Sequence, residues 1–235
     1  DAPVMEGADT IYAIPGQLFE HGLERRGLDV SFWRGVGAGY TKFAIESFVD
    51  EIAEQTNKDA LDMRLALTKN QPRAQKVLNE VAAMADWKKA RPDGRALGLA
   101  FSDTWTSFVA MVVEVSMNEG KPVVHHIWAA VDCGHAVSPR NVASQIEGSA
   151  LFGLSALLDE KLVYKGGQAQ QTNFHQYQLL RANQTPLVDV KVIPTDNAPG
   201  GVGEAGLPPL APAVASAVAK LTGKRVRALP FPKEI

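Results

Sequence analysis

The residues best suited to chemistry lie in a glycine-rich run near the C-terminus, from Gly200 to Leu207, with Glu204 at its centre. Four glycines in seven residues allow the backbone to approach another group closely. Glu204 has no cationic neighbour in the sequence around it, so a buried Glu204 is a candidate general base. The alternative is that Glu204 only complements the N-terminal dipole of the helix that follows, which is worth about 0.3–1 kcal/mol. Local sequence alone leaves both roles open.

The same run also matches a dinucleotide-binding fingerprint, as Gly201-x-Gly203-x-x-Gly206. That fold needs the loop directly behind its strand and an acid at the end of a second strand. Here residues 194–199 separate the loop from the preceding predicted strand, and no acid follows the next predicted helix before Glu234. A nicotinamide-binding module is therefore the least favoured function.

Histidines, an aspartate and the one cysteine gather between residues 125 and 135 and raise the possibility of a zinc site. On a strand, His125 and His126 point to opposite faces, and Cys133-x-His135 lacks a second close pair of ligands. We therefore predict no zinc site here and expect Cys133 to be a small buried hydrophobe.

Composition excludes several classes of function. The chain has 235 residues, with 24 Lys and Arg against 26 Asp and Glu, for a net charge of −2. Such a balance gives no electrostatic footprint for nucleic acid or for an anionic membrane surface. One cysteine cannot form an intrachain disulfide, and no apolar run approaches the ~20 residues that span a bilayer. The chain begins Asp1-Ala2-Pro3, which favours a processed or excised piece of a longer protein.

Hydrophobic periodicity and turn residues predict the elements that must position these groups. Helices are predicted at 42–55, 59–67, from Pro72 onward, at 139–158 and at 208–221. Strands are predicted at 96–101, 107–116, 123–131, 162–164 and 187–193. Residues 1–40 are predicted to form loops and short strands, and Asn118 to Gly120 to close a hairpin. The order of helices, strands and further helices predicts an α+β fold with helices packed on mixed or antiparallel sheets.

Four segments, in order along the chain, resemble the large subunit of the molybdenum hydroxylases, the xanthine dehydrogenase and aldehyde oxidase family. The first three are Phe32-Trp-Arg-Gly-Val-Gly37, Val131-Asp-Cys-Gly134 with Ser138-Pro139, and Gln145-Ile-Glu-Gly148; Ser138 replaces the usual Asn. The fourth is Gly201-Val-Gly-Glu204 with the Gly-Leu-Pro-Pro-Leu that follows. Asn173-Phe-His-Gln-Tyr and the ending Thr222 to Pro230 are most similar to the isoquinoline 1-oxidoreductase β-subunit branch. The resemblance covers essentially the whole chain.

The resemblance implies a molybdopterin cofactor, with the cytosine dinucleotide form favoured, that carries molybdenum through its pterin dithiolene rather than through a protein ligand. It implies hydroxylation of an electron-poor carbon, in an N-heteroaromatic compound or an aldehyde, with water as the source of oxygen. By its match, Glu204 is the general base. By the same match the cofactor-binding residues are Trp33, Arg34, Gly35, Gln145, Val202 and Gly203. From composition alone, Arg34 and Gln145 would instead be solvated surface residues.

The family's large subunit is about three times as long as this chain, and its glycine-rich loop over the molybdenum has no counterpart here. Residues 1–235 are therefore expected to be the C-terminal molybdopterin-binding region of a split or processed catalytic subunit, with two subdomains of about 1–100 and 101–235. Because one cysteine cannot ligate a four-thiolate cluster, the [2Fe-2S] clusters are assigned to a partner chain.

The expected partners are the remaining N-terminal part of the catalytic subunit, a small iron-sulfur subunit, a cytochrome subunit as a further candidate, and a small-molecule substrate, with no nucleic acid. The sequence does not identify the compartment, although a periplasmic or membrane-associated location is slightly favoured over a cytoplasmic one. The alternative function is a non-catalytic structural subunit of such a complex.

Overall fold

A four-stranded mixed sheet organises the computed structural model, which describes residues 2–24, 27–28 and 30–232. Its strands are β1 (Arg95–Ser102), β2 (Phe108–Asn118), β3 (Lys121–Asp132) and β6 (Leu187–Val192), in the order β1-β2-β3-β6. The first three are antiparallel neighbours, whereas β3 and β6 run parallel. A separate hairpin pairs β4 (Tyr164–Lys165) with β5 (Gln168–Ala169).

Helices cover both faces of this sheet. The helices are α1 (Ala38–Gln55), α2 (Ala60–Leu67), α3 (Pro72–Met84), α4 (Pro139–Leu158) and α5 (Leu210–Thr222). Short 3-10 helices lie at Ala2–Met5, Phe174–Gln176 and Ala182–Gln184. This arrangement confirms the predicted α+β class, with helices packed on a mixed sheet.

Two hydrophobic cores form because the side chains of β2 alternate between the faces of the sheet. Val109, Met111 and Val113 belong to the core shared with α4 and α5, and Ala110 and Val112 to the core shared with α3. Parallel pairing of β3 with β6 requires a crossover connection, and α4 lies within it. The long helix that carries Gln145 is therefore fixed against the sheet.

Several predicted element boundaries are confirmed. Pro72 and Pro139 each start a helix, as expected for a proline in the first turn. Glu119 and Gly120, both at positive φ, form the two-residue loop between β2 and β3. Gly223 ends α5 in the left-handed conformation, and its N–H donates to Ala219 O.

Other boundaries differ from the prediction. The described residues between 2 and 37 contain one 3-10 helix and no strand, so the short strands predicted for 1–40 were wrong there. Helix α1 begins at Ala38 rather than at residue 42. Helix α5 begins at Leu210 rather than at residue 208, because Pro208 and Pro209 lie in the preceding turn. The strand predicted at 162–164 is a two-residue strand that begins at Tyr164.

None of the helices in the described ranges has the length and apolar character needed to cross a bilayer.

Candidate active site

The Arg34 guanidinium connects three segments that are far apart in sequence. Its Nε donates to Gly203 O at 2.7 Å, and its Nη2 donates to Gln145 Oε1 at 3.0 Å and Gln145 O at 3.3 Å. Gln145 lies on α4 and Gly203 on the glycine loop before α5. The planar guanidinium suits this role because its donors have a fixed geometry. One side chain thus joins the N-terminal turn, α4 and the glycine loop.

Glu204 is held against the same turn. Its Oε1 accepts a hydrogen bond from the Gly35 N–H at 3.3 Å, and its side chain is half-buried. Within the turn, Gly35 has φ +98° and Val36 has φ +46°, the latter uncommon for a β-branched residue. Backbone strain of this kind clusters at functional sites. The carboxylate proposed as a base is therefore anchored by a strained glycine turn.

Aromatic packing supports the turn from the other side. The Trp33 ring lies 4.6 Å from the Phe152 ring on α4, and the Arg34 guanidinium carbon lies 5.8 Å from the centre of the same ring. Trp33 is still 44% exposed, so part of its side chain remains accessible. The sequence did not predict Phe152 as a site residue, because Phe152 lies outside the matched motifs.

The beginning of the glycine loop rests on the turn between β1 and β2. Gly201 N donates to Trp105 O at 2.8 Å, and Gly200 N donates to Cys133 O at 2.7 Å. Trp105 and Thr106 both have positive φ. Cys133 is buried in the α4–α5 core, as predicted, and burial raises the pKa of its thiol. The loop therefore starts from a rigid support and ends at α5.

Free hydrogen-bond donors surround Gly203. Among the described residues, none accepts from the backbone N–H groups of Val202, Gly203 or Glu204, or from the side-chain amide of Gln145. A methyl group added at Gly203 would meet no atom within 4 Å. Val202 itself packs half-buried against the core, so its side chain points inward while its N–H remains available. Such a group of backbone and side-chain donors suits an oxygen-rich or heterocyclic ligand.

An apolar cavity of about 360 Å³ lies beside Trp33 and Leu207, and none of the donors around Gly203 is among its lining residues. Trp33 and Leu207 are part of its wall, which also includes Tyr40 of α1 and Leu157 of α4. Its acidic residue is Glu160, which accepts a hydrogen bond from the Tyr177 hydroxyl at 2.9 Å. Burial, and to a lesser extent the hydrogen bond and charge of Glu160, raise the pKa of that tyrosine. Cavities with mostly apolar walls and few polar groups are typical of small-molecule sites.

The histidines of β3 make separate contacts. His125 Nε2 lies 2.8 Å from Ser116 Oγ, and His126 Nε2 lies 2.7 Å from Asp189 Oδ2 while its ring stacks on Trp128. In the described ranges, no group of three or more His, Cys, Asp or Glu side chains could hold a metal ion. The dinucleotide alternative also lacks its scaffold, because residues 223–232, after α5, contain no strand.

Three of the seven predicted site residues, Val202, Gly203 and Glu204, belong to the glycine loop. Arg34 and Gly35 bind that loop directly, Gln145 is joined to it through Arg34, and Trp33 packs on Phe152 beside Arg34. The seven residues come from three places: the turn at 33–35, α4, and residues 202–204. Their assignment as base and cofactor contacts stays a prediction.

Comparison with known proteins identifies the family of the chain. Residues 44–186 match the model of the molybdopterin cofactor-binding domain. The chain is 40% identical over 230 residues to the isoquinoline 1-oxidoreductase subunit beta of Brevundimonas diminuta, covering 96% of this chain and 29% of that protein. It is 31% identical over 219 residues to a membrane-bound aldehyde dehydrogenase (pyrroloquinoline-quinone) of Gluconacetobacter polyoxogenes, covering 84% of this chain and 28% of that protein.

A solved structure shows the same fold. The aldehyde oxidoreductase of Desulfovibrio desulfuricans superposes with a TM-score of 0.71 at 13% identity, over 84% of this chain and 40% of that chain. The chain spans less than a third of the length of the Brevundimonas relative and of the Gluconacetobacter relative. Because the domain model matches more than half of the residues, this chain belongs to the molybdopterin cofactor-binding domain family of the molybdenum hydroxylases.

Proposed function

We propose that this chain forms part of the catalytic site of a molybdenum-dependent oxidoreductase that hydroxylates an electron-poor carbon, with Glu204 as the general base. One observation carries the proposal: Arg34 and Gly35 bind Gly203 and Glu204 directly, and Arg34 also binds Gln145. The residues matched by the resemblance therefore form one constellation rather than a set of scattered motifs.

The residues around Gly203 fit a molybdopterin cofactor. The open space beside Gly203 and the free N–H groups of the loop provide a surface for a planar, oxygen-rich group. Arg34 provides the positive charge that a phosphate or pyrophosphate requires, and Gln145 can donate to a heterocycle edge. When bound, the cofactor supplies the two-electron oxidation, with water as the source of the oxygen atom. The cytosine dinucleotide form is part of this proposal.

In this scheme, Glu204 takes up the proton that the attacking oxygen must lose. The Gly35 N–H orients its carboxylate by binding Oε1, which leaves Oε2 available to accept that proton. A positioned carboxylate used as general base contributes typically 10²–10⁴-fold to a rate. Arg34 fixes two backbone segments that hold Glu204. It binds the carbonyl oxygen of Gly203, the residue before Glu204, and it belongs to the turn whose Gly35 N–H binds the Glu204 carboxylate.

Replacing Glu204 by Gln tests the proposal in the assembled enzyme. Glutamine keeps the size of the side chain and can still accept from Gly35, but it cannot take up a proton at neutral pH. We expect kcat to fall by about 10²–10⁴-fold with molybdenum content unchanged. Glu119→Gln, at the exposed hairpin between β2 and β3, is the control and should keep full activity. Intact turnover in Glu204→Gln, or negligible molybdenum in the wild-type complex, would exclude the proposed function.

The favoured substrate class is N-heteroaromatic. The name of the Brevundimonas relative supports it, as does the apolar cavity beside Trp33, which could hold a flat ring system. Aldehydes are the second class, supported by the name of the Gluconacetobacter relative. Steady-state kcat/KM for isoquinoline and for benzaldehyde, measured on the same preparation, separates the two classes. A larger value for benzaldehyde would assign the chain to the second class.

Partner chains are also part of the proposal. Apolar side chains stand exposed along the N-terminal segment that leads to Trp33, with Leu18 78%, Val30 91% and Phe32 72% exposed. Exposed apolar groups concentrated in one segment mark an interaction surface, and this surface continues into the cavity beside Trp33. We propose that it contacts the remainder of the catalytic subunit, for which residues 1–235 form the C-terminal molybdopterin-binding region.

A small subunit with [2Fe-2S] clusters, and a cytochrome subunit as a further candidate, would carry electrons away. A periplasmic or membrane-associated location completes the proposal. Masses and N-terminal sequences of the co-purifying chains test the partners, and cell fractionation tests the location. Purification of an active enzyme that contains only this chain would contradict the partner assignment.

A further inference from the structure

The Leu207 side chain is enclosed by glycines from three different elements. A methyl group added at Gly35 would lie 2.7 Å from Leu207 Cδ2, one at Gly39 would lie 3.3 Å from the same atom, and one at Gly153 would lie 3.2 Å from Cγ. Leu207 is only 5% exposed. The N-terminal turn, α1 and α4 therefore each lack a side chain at the point where Leu207 enters.

The backbone of Leu207 is joined to the proposed base. Leu207 N donates to Glu204 O at 3.0 Å, so the two residues close a single turn, and Leu210 N donates to Leu207 O at 3.1 Å. The preceding residue, Gly206, lies against α4, where an added methyl group would come 2.6 Å from Ile146 O. This turn has little freedom to move once Leu207 is seated.

We propose that Leu207 is a positioning residue for Glu204. Its side chain sits directly against Gly35, the residue whose N–H binds the Glu204 carboxylate. Seating Leu207 between Gly35 and Gly153 thus sets the distance from the Gly35 N–H to Glu204 Oε1. The catalytic consequence rests on the proposed function of Glu204, whereas the mechanical coupling of Leu207 to Gly35 does not.

Chain geometry explains why leucine suits this position. Alanine would leave a gap between Gly35, Gly39 and Gly153, because each of them offers only its backbone. Methionine would fill a similar volume with a more flexible side chain. A purely structural leucine, by contrast, would affect stability without affecting the Gly35–Glu204 contact, as we expect for Leu78 in the α3 core.

The experiment compares Leu207→Ala with Leu78→Ala in the assembled enzyme, using amide hydrogen exchange and steady-state kinetics. In Leu207→Ala, we expect exchange in peptides that cover Gly35 to speed up by about tenfold or more. We expect kcat to fall about 10- to 100-fold, with KM changed less and with a shift of the acidic limb of the pH–rate profile. Leu78→Ala should leave the Gly35 exchange and the pH profile in place, and Leu207→Met should retain most of the wild-type behaviour.

A compensating variant strengthens the test. Gly153→Ala adds a methyl group 3.2 Å from Leu207 Cγ and should crowd the wild-type side chain, whereas in the Leu207→Ala background the same methyl group should partly fill the gap. The double variant should therefore exchange at Gly35 more slowly than Leu207→Ala alone. Should Leu207→Ala fail to assemble, Leu207→Val against Leu78→Val provides the same comparison.

The outcomes separate the two proposals. Unchanged Gly35 exchange in the Leu207 variant, or equal effects of the Leu207 and Leu78 variants on kcat and pH profile, would overturn the positioning role. Faster Gly35 exchange together with full activity of Glu204→Gln would support the mechanical coupling and reject Glu204 as the base.

Discussion

At the scale of single residues, Arg34 has the most connections in the candidate site. It binds Gly203 and Gln145 through different nitrogens, and it lies over the Phe152 ring. A lysine has the same charge but a single ammonium group, so it cannot hold two acceptors in the planar geometry of a guanidinium. The role of Arg34 therefore depends on its shape as well as on its charge.

Arg34→Lys should accordingly reduce cofactor retention more than it reduces stability. We expect molybdenum per catalytic chain to fall several-fold, while the free energy of unfolding changes by less than about 1 kcal/mol because the site is partly solvated. Molybdenum analysis and chemical denaturation of the purified protein measure the two effects. Arg140→Lys, an exposed residue at the start of α4, is the matched control. Equal molybdenum content in both variants would show that Arg34 does not hold the cofactor.

At the scale of elements, the end of β3 is tied to α3 through one ion pair. Arg73 Nε and Nη2 donate to the Asp132 carboxylate at 2.9 and 2.6 Å, and the Gly134 N–H donates to it at 3.0 Å. Burial disfavours the charged carboxylate, but the hydrogen bonds from Arg73 and Gly134 and the charge of Arg73 outweigh it. The net result is that the pKa of Asp132 lies below its ordinary value. This contact secures the strand end from which the chain turns towards α4.

Because the folded-state pKa of Asp132 is depressed, the pair stabilises the protein above the ordinary aspartate pKa and loses this effect as pH falls through the folded-state value. Arg73→Met should thus cost about 1–3 kcal/mol at pH 7, with a penalty that shrinks below about pH 4. Denaturation curves of wild type and variant at both pH values give the comparison. If Arg73→Met cost the same free energy of unfolding at pH 7 and below pH 4, Arg73 would stabilise the protein through its packing on Phe108, which it also contacts, rather than through the ion pair.

The sequence predicts elements well where a local signal exists. Proline in the first turn placed α3 and α4, and the two-residue loop at Glu119 and Gly120 placed the β2–β3 hairpin. The predicted start of α1 is four residues late because Gly39 lowers helix propensity; a methyl group at Gly39 would come 3.3 Å from Leu207 Cδ2, a residue 168 positions later in the sequence.

The candidate site shows the same division between local and tertiary information. The resemblance predicted Arg34, Gln145 and Glu204 as site residues, Glu204 also being a candidate from its local sequence, and the structure brings the three segments together. Leu207 lies in the matched motif but was given no role there, and Phe152 lies outside the motifs, because both have ordinary apolar side chains. Their contacts join segments far apart in the chain, and only the folded structure reveals them.

At the scale of the whole molecule, a buried charge network connects the N-terminal segment to the helices and the sheet. The fully buried Arg64 of α2 binds Glu46 and Asp50 of α1 at 2.8 and 2.6 Å. Glu46 in turn accepts from the Tyr12 hydroxyl at 2.6 Å and from the Phe101 N–H of β1 at 2.8 Å. Burial, together with the charge of Glu46, raises the pKa of Tyr12, so this hydroxyl stays protonated and remains a donor.

Removing one member of this network should be far more costly than removing a surface ion pair. Arg64→Met leaves two carboxylates buried without a cation, and we expect a loss of about 3–5 kcal/mol in the free energy of unfolding. Arg227→Met breaks an exposed pair with Glu51 and should cost less than about 1 kcal/mol.

Adding Glu46→Gln and Asp50→Asn to Arg64→Met should recover part of the loss, because it removes the stranded negative charges while leaving the packing in place. The denaturation midpoints of the single and triple variants measure this recovery. A triple variant less stable than Arg64→Met alone would mean that the hydrogen bonds from Tyr12 and Phe101 to Glu46, rather than charge balance, dominate this core. Because Tyr12 precedes the segment that leads to Trp33 and Arg34, such a result would also assign the anchoring of the N-terminal segment to the Glu46 carboxylate itself.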